Sequence, residues 1–336
     1  MALLIIFKLP KISLKDRSFK TTIVLCASLI ATVAISLANG AVPLSIHEIW
    51  QALLHQGIST NQTIIWDLRL PRTLAALLVG AALGMSGALL QGMLRNGLAD
   101  PFLLGISSGA GLVVVSLLTL GSLLVWIPLF AWLGAIFTTV LVYSLAWTPL
   151  GLSIQRLILG GVAISAFFGS ISSMLLLFSD ERIQLALNWL IGSLNGRGWL
   201  EVNIAGLYIL TGLIAGCLLA RTLNLLSLGD EMAVGLGVSL VRSRLLIGGI
   251  ATLLAAGAVS ISGLIGFVGL VVPHIIRLLV GSNYNWILPL SAVGGALLVT
   301  LADIVARLGS IELPVGVITS LLGAPFFGWL LYRRSS

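Results

Sequence analysis

Apolar residues gather along this chain in runs of about twenty, each long enough to cross the hydrocarbon core of a bilayer as a helix. Ten runs are predicted as spans, near 21–39, 71–92, 101–120, 126–147, 157–178, 203–220, 245–262, 264–281, 286–305 and 314–332. The eighth is interrupted by Gly263, Gly266, Gly269 and Pro273, so a short or broken helix is expected there. The segment 184–195, QLALNWLIGSLN, reads instead as a short amphipathic helix lying in an interface. In the second run Gly80, Gly84, Ala88 and Gly92 recur every fourth residue, a stripe that lets another helix approach closely, and Gly105 and Gly109 repeat the spacing. The fold class is therefore an all-α polytopic membrane protein: a basic N-terminal segment over 1–20, then one transmembrane domain over 21–334 with no soluble domain.

Composition sharpens this. Charged residues are 9% of the 336 and hydrophobic ones 58%, against about 25% charged in a soluble protein. The pI near 10.0 would suit a nucleic-acid binder, but all four lysines lie in the first twenty residues and the arginines mostly in short loops, so no basic face forms. With the N-terminus inside, 13 lysines and arginines fall on the cytoplasmic side and 5 on the outer side, which supports N-in, C-in. The basic start followed by TTIVLCASLIATVAISLANGA is too long in its apolar part for a cleaved signal and reads as an uncleaved first span. Cys26 and Cys217, each inside an apolar run, read as small core residues with no disulfide.

Three outer arginines go against the charge trend: Arg69 and Arg72 in RLPR, and Arg307 in ADIVARLGSIELP. They suit either snorkelling to headgroups or docking of an acidic surface. Arg307 follows Asp303 by one helical turn, so the two can pair.

Absences narrow the chemistry. No lysine follows Lys20, so there is no phosphate-binding GxxxxGK[ST] loop and no Schiff-base lysine. His47, His55 and His274 are scattered, without HExxH or CxxC spacing for a metal. Only Asp303 among eleven carboxylates lies within a span, near its outer end, which argues against an ion-coupled secondary carrier, and no constellation supports an intramembrane enzyme. The loop 221–244, RTLNLLSLGDEMAVGLGVSLVRSR, stands out as long, with a Gly-Asp helix start and a break at Gly235 and Gly237. Two short helices on the inner face would make a docking surface for a cytoplasmic partner, or a simple interfacial helix.

RLPRTLAALLVGAALGMSGALLQGMLRNGLADPFLLGISSGAG (69–111), LGDEMAVGLGVS (228–239), GLIGFVGLVVPHIIRLLVG (263–281) and LADIVARLGSIELPVGVITSLLGAPFFGWLL (301–331) together resemble the FecCD-type permeases of type II ABC importers for ferric siderophores, haem and cobalamin. The resemblance runs from about residue 21 to the end; Gly97 stands where that family usually has proline. It implies a ten-helix permease subunit of the inner (cytoplasmic) membrane, paired with a second copy or a paralogue, with the pathway at their interface. Two cytoplasmic ATPase subunits would bind ATP and Mg, and no cofactor belongs to this chain. A periplasmic or lipid-anchored substrate-binding protein would dock on Arg69, Arg72 and Arg307. The resemblance makes Leu228, Gly229, Asp230, Glu231, Gly235, Leu236 and Gly237 the coupling positions, and Ser153 and Ile154 a cytoplasmic gate. Ser165, Gly169, Ser170 and Ser173 on the fifth span suit either the pathway wall or plain helix packing. GSLNGRGW (192–199) is more similar to ferric-siderophore members than to cobalamin ones, with haem and molybdate-type cargo also open.

Overall fold

The computed structural model describes residues 14–40, 42–121, 123–149, 151–178, 183–309 and 311–334. Lys8, Lys11 and Arg182, which entered the charge asymmetry, lie outside these, as do residues 1–13 of the N-terminal segment.

Every predicted span contains a helix: α1 (Leu14–Ala38), α4 (Leu70–Met93), α5 (Ile106–Leu120), α6 (Ile127–Ala146), α7 (Ile154–Leu177), α9 (Trp199–Leu218), α12 (Leu240–Ser262), α13 (Val268–Val280), α14 (Tyr284–Ala306) and α15 (Val315–Arg334). Seven spans are long and apolar enough to cross a membrane, while Ile106–Leu120, Val268–Val280 and Val315–Gly328 are shorter apolar helices. Short helices fill the connections: α2 (Ile46–Leu53), α3 (Ser59–Thr63), α8 (Ile183–Ile191), α10 (Ala220–Leu226) and α11 (Asp230–Gly235). Among the described residues, the small exception to the helical plan is a hairpin pairing Trp147–Thr148 with Gly151–Leu152.

α4 is the hub, packed against α9, α12, α13 and α14. The glycine stripe explains why. A Cβ on Gly80 would collide with the carbonyl of Gly295, and one on Gly84 with that of Ser291, so α4 and α14 touch backbone to backbone. Gly87, which is off the stripe, lies just as close to Gly269 of α13. α5, α6 and α7 form a second group, and α1 leans on α13 and α14.

Two boundaries differ from the sequence expectation, and a third agrees with it. The second span does not begin at a loop: Ser59–Met93 is one continuous helical stretch whose Ile64–Arg69 segment is π-helical. Pro71 explains the widened turn, because it has no N–H and its ring would press on the carbonyl four residues back. The third span opens with a 3₁₀ turn, Pro101–Leu104, before Gly105 takes a left-handed conformation and α5 begins. The eighth is broken as expected: residues 263–267 are not helical, and Gly263 and Phe267 both have positive φ. The amphipathic helix α8 is tied into the bundle. Its Ala186 and Trp189 are buried, and the carbonyl of Gly192 accepts from the N–H of Gly316 at the head of α15.

Candidate functional site

The three outlying arginines meet at one end of the bundle, and each is engaged by its own chain. Arg69, 6% exposed, turns back from the π segment to cap α1. Its Nη1 donates to the carbonyls of Leu37 (2.7 Å) and Ala38 (2.9 Å), and its Nη2 to that of Val42. Carbonyls at a helix C-terminus carry partial negative charge, which a guanidinium satisfies. Gly40 leaves the room, since a Cβ there would lie 2.8 Å from Arg69 Nη2.

Arg72 donates through Nε (3.0 Å) and Nη2 (2.7 Å) to Asp303 Oδ1, and it also pairs with Glu312. Arg307 closes the group from the last turn of α14. Its Nη2 lies 2.9 Å from Asp303 Oδ2, the expected one-turn pair, and 2.8 Å from Ser36 Oγ, which in turn bonds Thr73. Asp303 is fully buried between the two guanidinium groups. The site is therefore a near-neutral buried cluster joining α1, α4, α14 and the 307–314 connection, and its cations are not free posts for a partner. Above it opens a cleft of about 570 Å³, lined by Asp67, Arg69, Arg72, Arg197, Arg307 and Glu312 together with Asn195.

At the opposite end, the 221–244 loop holds two short helices, α10 and α11: the expected Gly-Asp start opens α11 after Gly229 (φ 111°) and the expected break falls at Gly237 (φ 85°), but α10 precedes that start and the helix after the break is already α12. Asp230 opens α11 and is held from two sides, by Arg95 (3.0 Å) and by Arg244 at the head of α12 (2.7 Å). Four of the loop's apolar residues, Leu228, Met232, Val234 and Leu236, are exposed with Glu231 beside them, while Leu223, Leu226 and Ala233 are buried. Gly235 has open space around it. The arrangement is a stiffly tethered knob with an apolar crown. Arg95 and Arg244 carried no local signal, because both act across sequence gaps.

The residues assigned to gate and pathway do not form one cluster. Ser153 caps α7 by accepting from the N–H of Arg156, and Ile154 follows it, at the end where Gly151 lies against Val241 of α12. Ser165 is mid-helix and accepts a 3.3 Å hydrogen bond from Ser108 of α5. Ser170 and Ser173 donate to their own helix, at Ala166 and Gly169, and both are exposed. A Cβ on Gly169 would meet nothing within 4 Å. Gly169, Ser170 and Ser173 lie along a helix face that the chain leaves largely uncovered, whereas Ile154 is half-buried against the core.

The FecCD transport family model matches residues 28–333. The chain is 42% identical over 320 residues to the hemin transport system permease protein HmuU of Yersinia pestis, covering 91% of this chain and 93% of that one. It is 40% identical over 306 residues to the cobalamin import system permease protein BtuC of Halobacterium salinarum (90% and 83%), and 40% over 331 to the iron(3+)-hydroxamate import system permease protein FhuB of Bacillus subtilis (95% and 85%). Among solved structures, an inward-facing putative metal-chelate type ABC transporter superposes with a TM-score of 0.85 at 35% identity, covering 94% of this chain and 99% of that one. An uncovered helix, a tethered exposed knob and a match over almost the whole length agree: the chain belongs to the FecCD transport family and is a permease subunit of a type II ABC importer.

Proposed function

We propose that this permease imports a ferric siderophore across the cytoplasmic membrane by alternating access at the interface of two permease subunits. The N- and C-termini face the cytoplasm, with the Asp230 knob inside and the arginine cleft outside. The observation that carries the reading is the knob. An apolar crown on a short helix, anchored to two spans by Arg95–Asp230–Arg244, transmits force from a partner groove to the bundle. Two ATPase subunits, which bind ATP and Mg, close on each other below it. Leu228, Gly229, Asp230, Glu231, Gly235, Leu236 and Gly237 are the coupling positions. α7 forms the pathway wall through Gly169, Ser170 and Ser173, with Ser153 and Ile154 at its cytoplasmic mouth.

A periplasmic or lipid-anchored substrate-binding protein docks over the arginine cleft. Since Arg69, Arg72 and Arg307 are already engaged, their part is to hold the cleft's shape and lend it residual positive charge. Exposed ion pairs contribute only about 0–1 kcal/mol each, so charge here tunes encounter and register. Asn195, exposed at the cleft lip, tests docking without touching the cluster. Asn195→Glu should slow association with the cognate binding protein several-fold, most strongly at low salt; an unchanged rate would remove the docking assignment.

Cargo is tested by uptake of radiolabelled ferric siderophore in cells lacking the gene, with and without its restoration. Loss and recovery with the gene support the reading. Haemin or cobalamin uptake following the gene instead would favour the second reading, which the near-equal identity to HmuU and BtuC keeps in view.

A further inference from the structure

Beside the arginine cleft lies a larger cavity of about 940 Å³, and Arg197 lines both. The larger one is enclosed by the heads of α6 and α9, by α8, and by the end of α12. Its walls are mainly aliphatic and aromatic, with Trp126, Trp132, Trp189, Ile204 and Ile261 among them. It opens to the side of the bundle, where the lining residues Trp126, Leu185, Leu200 and Ile204 are exposed, so an apolar chain can enter it from the flank.

Its polar groups sit at two depths. At the mouth, Arg197 Nη1 lies 4.0 Å from Glu201 Oε1, a loose pair, because the other Glu201 oxygen accepts the N–H of Gly198 at 3.0 Å and caps α9. Arg197 Nε is buried and has no hydrogen-bond partner among the described residues. Burial pushes the Arg197 guanidinium below its ordinary pKa, and Glu201 offsets this only in part. Two turns further along α9, about 10 Å deeper, the Tyr208 hydroxyl bonds Ser260 and its ring lies 5.6 Å from that of Trp132. The indole N–H of Trp132 is also buried without a partner.

The mouth thus offers a desolvated cation with a carboxylate beside it, and the depth offers one unused donor in apolar surroundings. A free phosphate would leave the groove empty and the Trp132 N–H unpaired, and a hydrocarbon alone would leave Arg197 Nε without a partner. We propose that the cavity is a site for phosphatidylethanolamine, with its phosphate on Arg197, its ammonium on Glu201, a glycerol-ester carbonyl on the Trp132 N–H, and the upper part of one acyl chain between the tryptophans. Which leaflet this is rests on the orientation proposed above; the binding itself does not.

The test uses the purified permease–ATPase complex in detergent, titrated with phosphatidylethanolamine or phosphatidylglycerol brominated near the head of the acyl chain, with tryptophan fluorescence as the readout. Wild type should be half-quenched at a lower mole fraction of the ethanolamine lipid. Arg197→Gln should raise that fraction about tenfold for both lipids, the worth of a charged hydrogen bond, and Arg197→Lys should recover part of it. Glu201→Gln keeps the helix cap and should abolish or reverse the ethanolamine preference, which a purely structural salt bridge would not do. Trp132→Phe keeps an aromatic side chain without the N–H and should weaken both lipids about threefold. Equal quenching by both lipids and by a brominated maltoside detergent, unchanged in the variants, would reduce the cavity to a nonspecific groove and overturn the proposal. Absence of quenching in the assembled complex would show that protein covers the cavity, and would overturn it as well.

Discussion

α4 and α7 are helices of 24 residues and nearly equal hydropathy, yet 83% of the apolar 18-residue window in the stretch holding α4 is buried inside the chain and only 11% of that in α7. Hydropathy therefore says that both enter the membrane and nothing about what they face. Residue size makes the distinction. α4 carries Gly80, Gly84, Gly87 and Gly92 where neighbours press in, whereas α7 presents Leu159, Val162, Phe167 and Met174 outward and keeps open space at Gly169. In lipid, helices associate through close packing, because tails are as apolar as leucine. α7 packs tightly only on one side, where Gly161 meets the Leu103 carbonyl beside α5 and α6, and its other face is the one that the proposed second subunit would cover.

The sharpest way to break this contrast is to place the same side chain on both helices. Gly84→Leu sets atoms on the Ser291 carbonyl, which belongs to backbone and cannot yield, so the chain should fail to give a monodisperse peak in detergent size exclusion. The largest effect after that is expected at Asp303→Asn, which leaves Arg72 and Arg307 buried around a neutral group. A loss of about 3 kcal/mol should appear as a lower thermal midpoint, and an unchanged midpoint would mean the cluster is solvated. Gly169→Leu should move the midpoint by no more than about 1 °C while reducing uptake several-fold. If uptake is untouched, α7 is not the pathway wall.

A smaller effect sits between the two helices, in the 94–100 connection. Burial raises the Asp100 carboxyl to about 6, with the Phe102 N–H pulling it down less. Its folded pKa lies above the ordinary value near 3.9, so its favourable contribution is complete below pH 4 and is lost as pH rises through 6. Asp100→Asn can still cap the Pro101–Leu104 turn. It should raise the midpoint by roughly 3 °C at pH 7.5, with the gain shrinking toward pH 4.5.

Legibility in the sequence followed the range of the interaction. The glycine stripe, the Asp303–Arg307 turn, the helix start at Gly229–Asp230 and the broken eighth span are local and could be read directly. Gly87 was not, since its collision partner Gly269 lies far along the chain and off the stripe's spacing. Nor was the use of RLPR: the sequence marks Arg69 and Arg72 as anomalous, but their partners lie 27 to 32 and 231 residues away. Anomalous charge was legible there, and its destination was not. The larger cavity was invisible for the same reason, because Arg197, Trp132 and Ser260 belong to different helices.

The capping of α1 by Arg69 and Arg307 also sets a timetable for synthesis. α1 leaves the ribosome before the other described helices and soon meets Arg69 and α4, but its larger neighbours α13 and α14, and the arginine that bonds Ser36 and Asn39, are made almost last. At about 5–20 residues per second, that is a wait of roughly 15 to 50 seconds. During it the nascent first helix must stand in lipid with little of the company it will later keep. Its largely lipid-tolerant surface, only 17% buried even in the finished fold, suits a segment that inserts early and docks late.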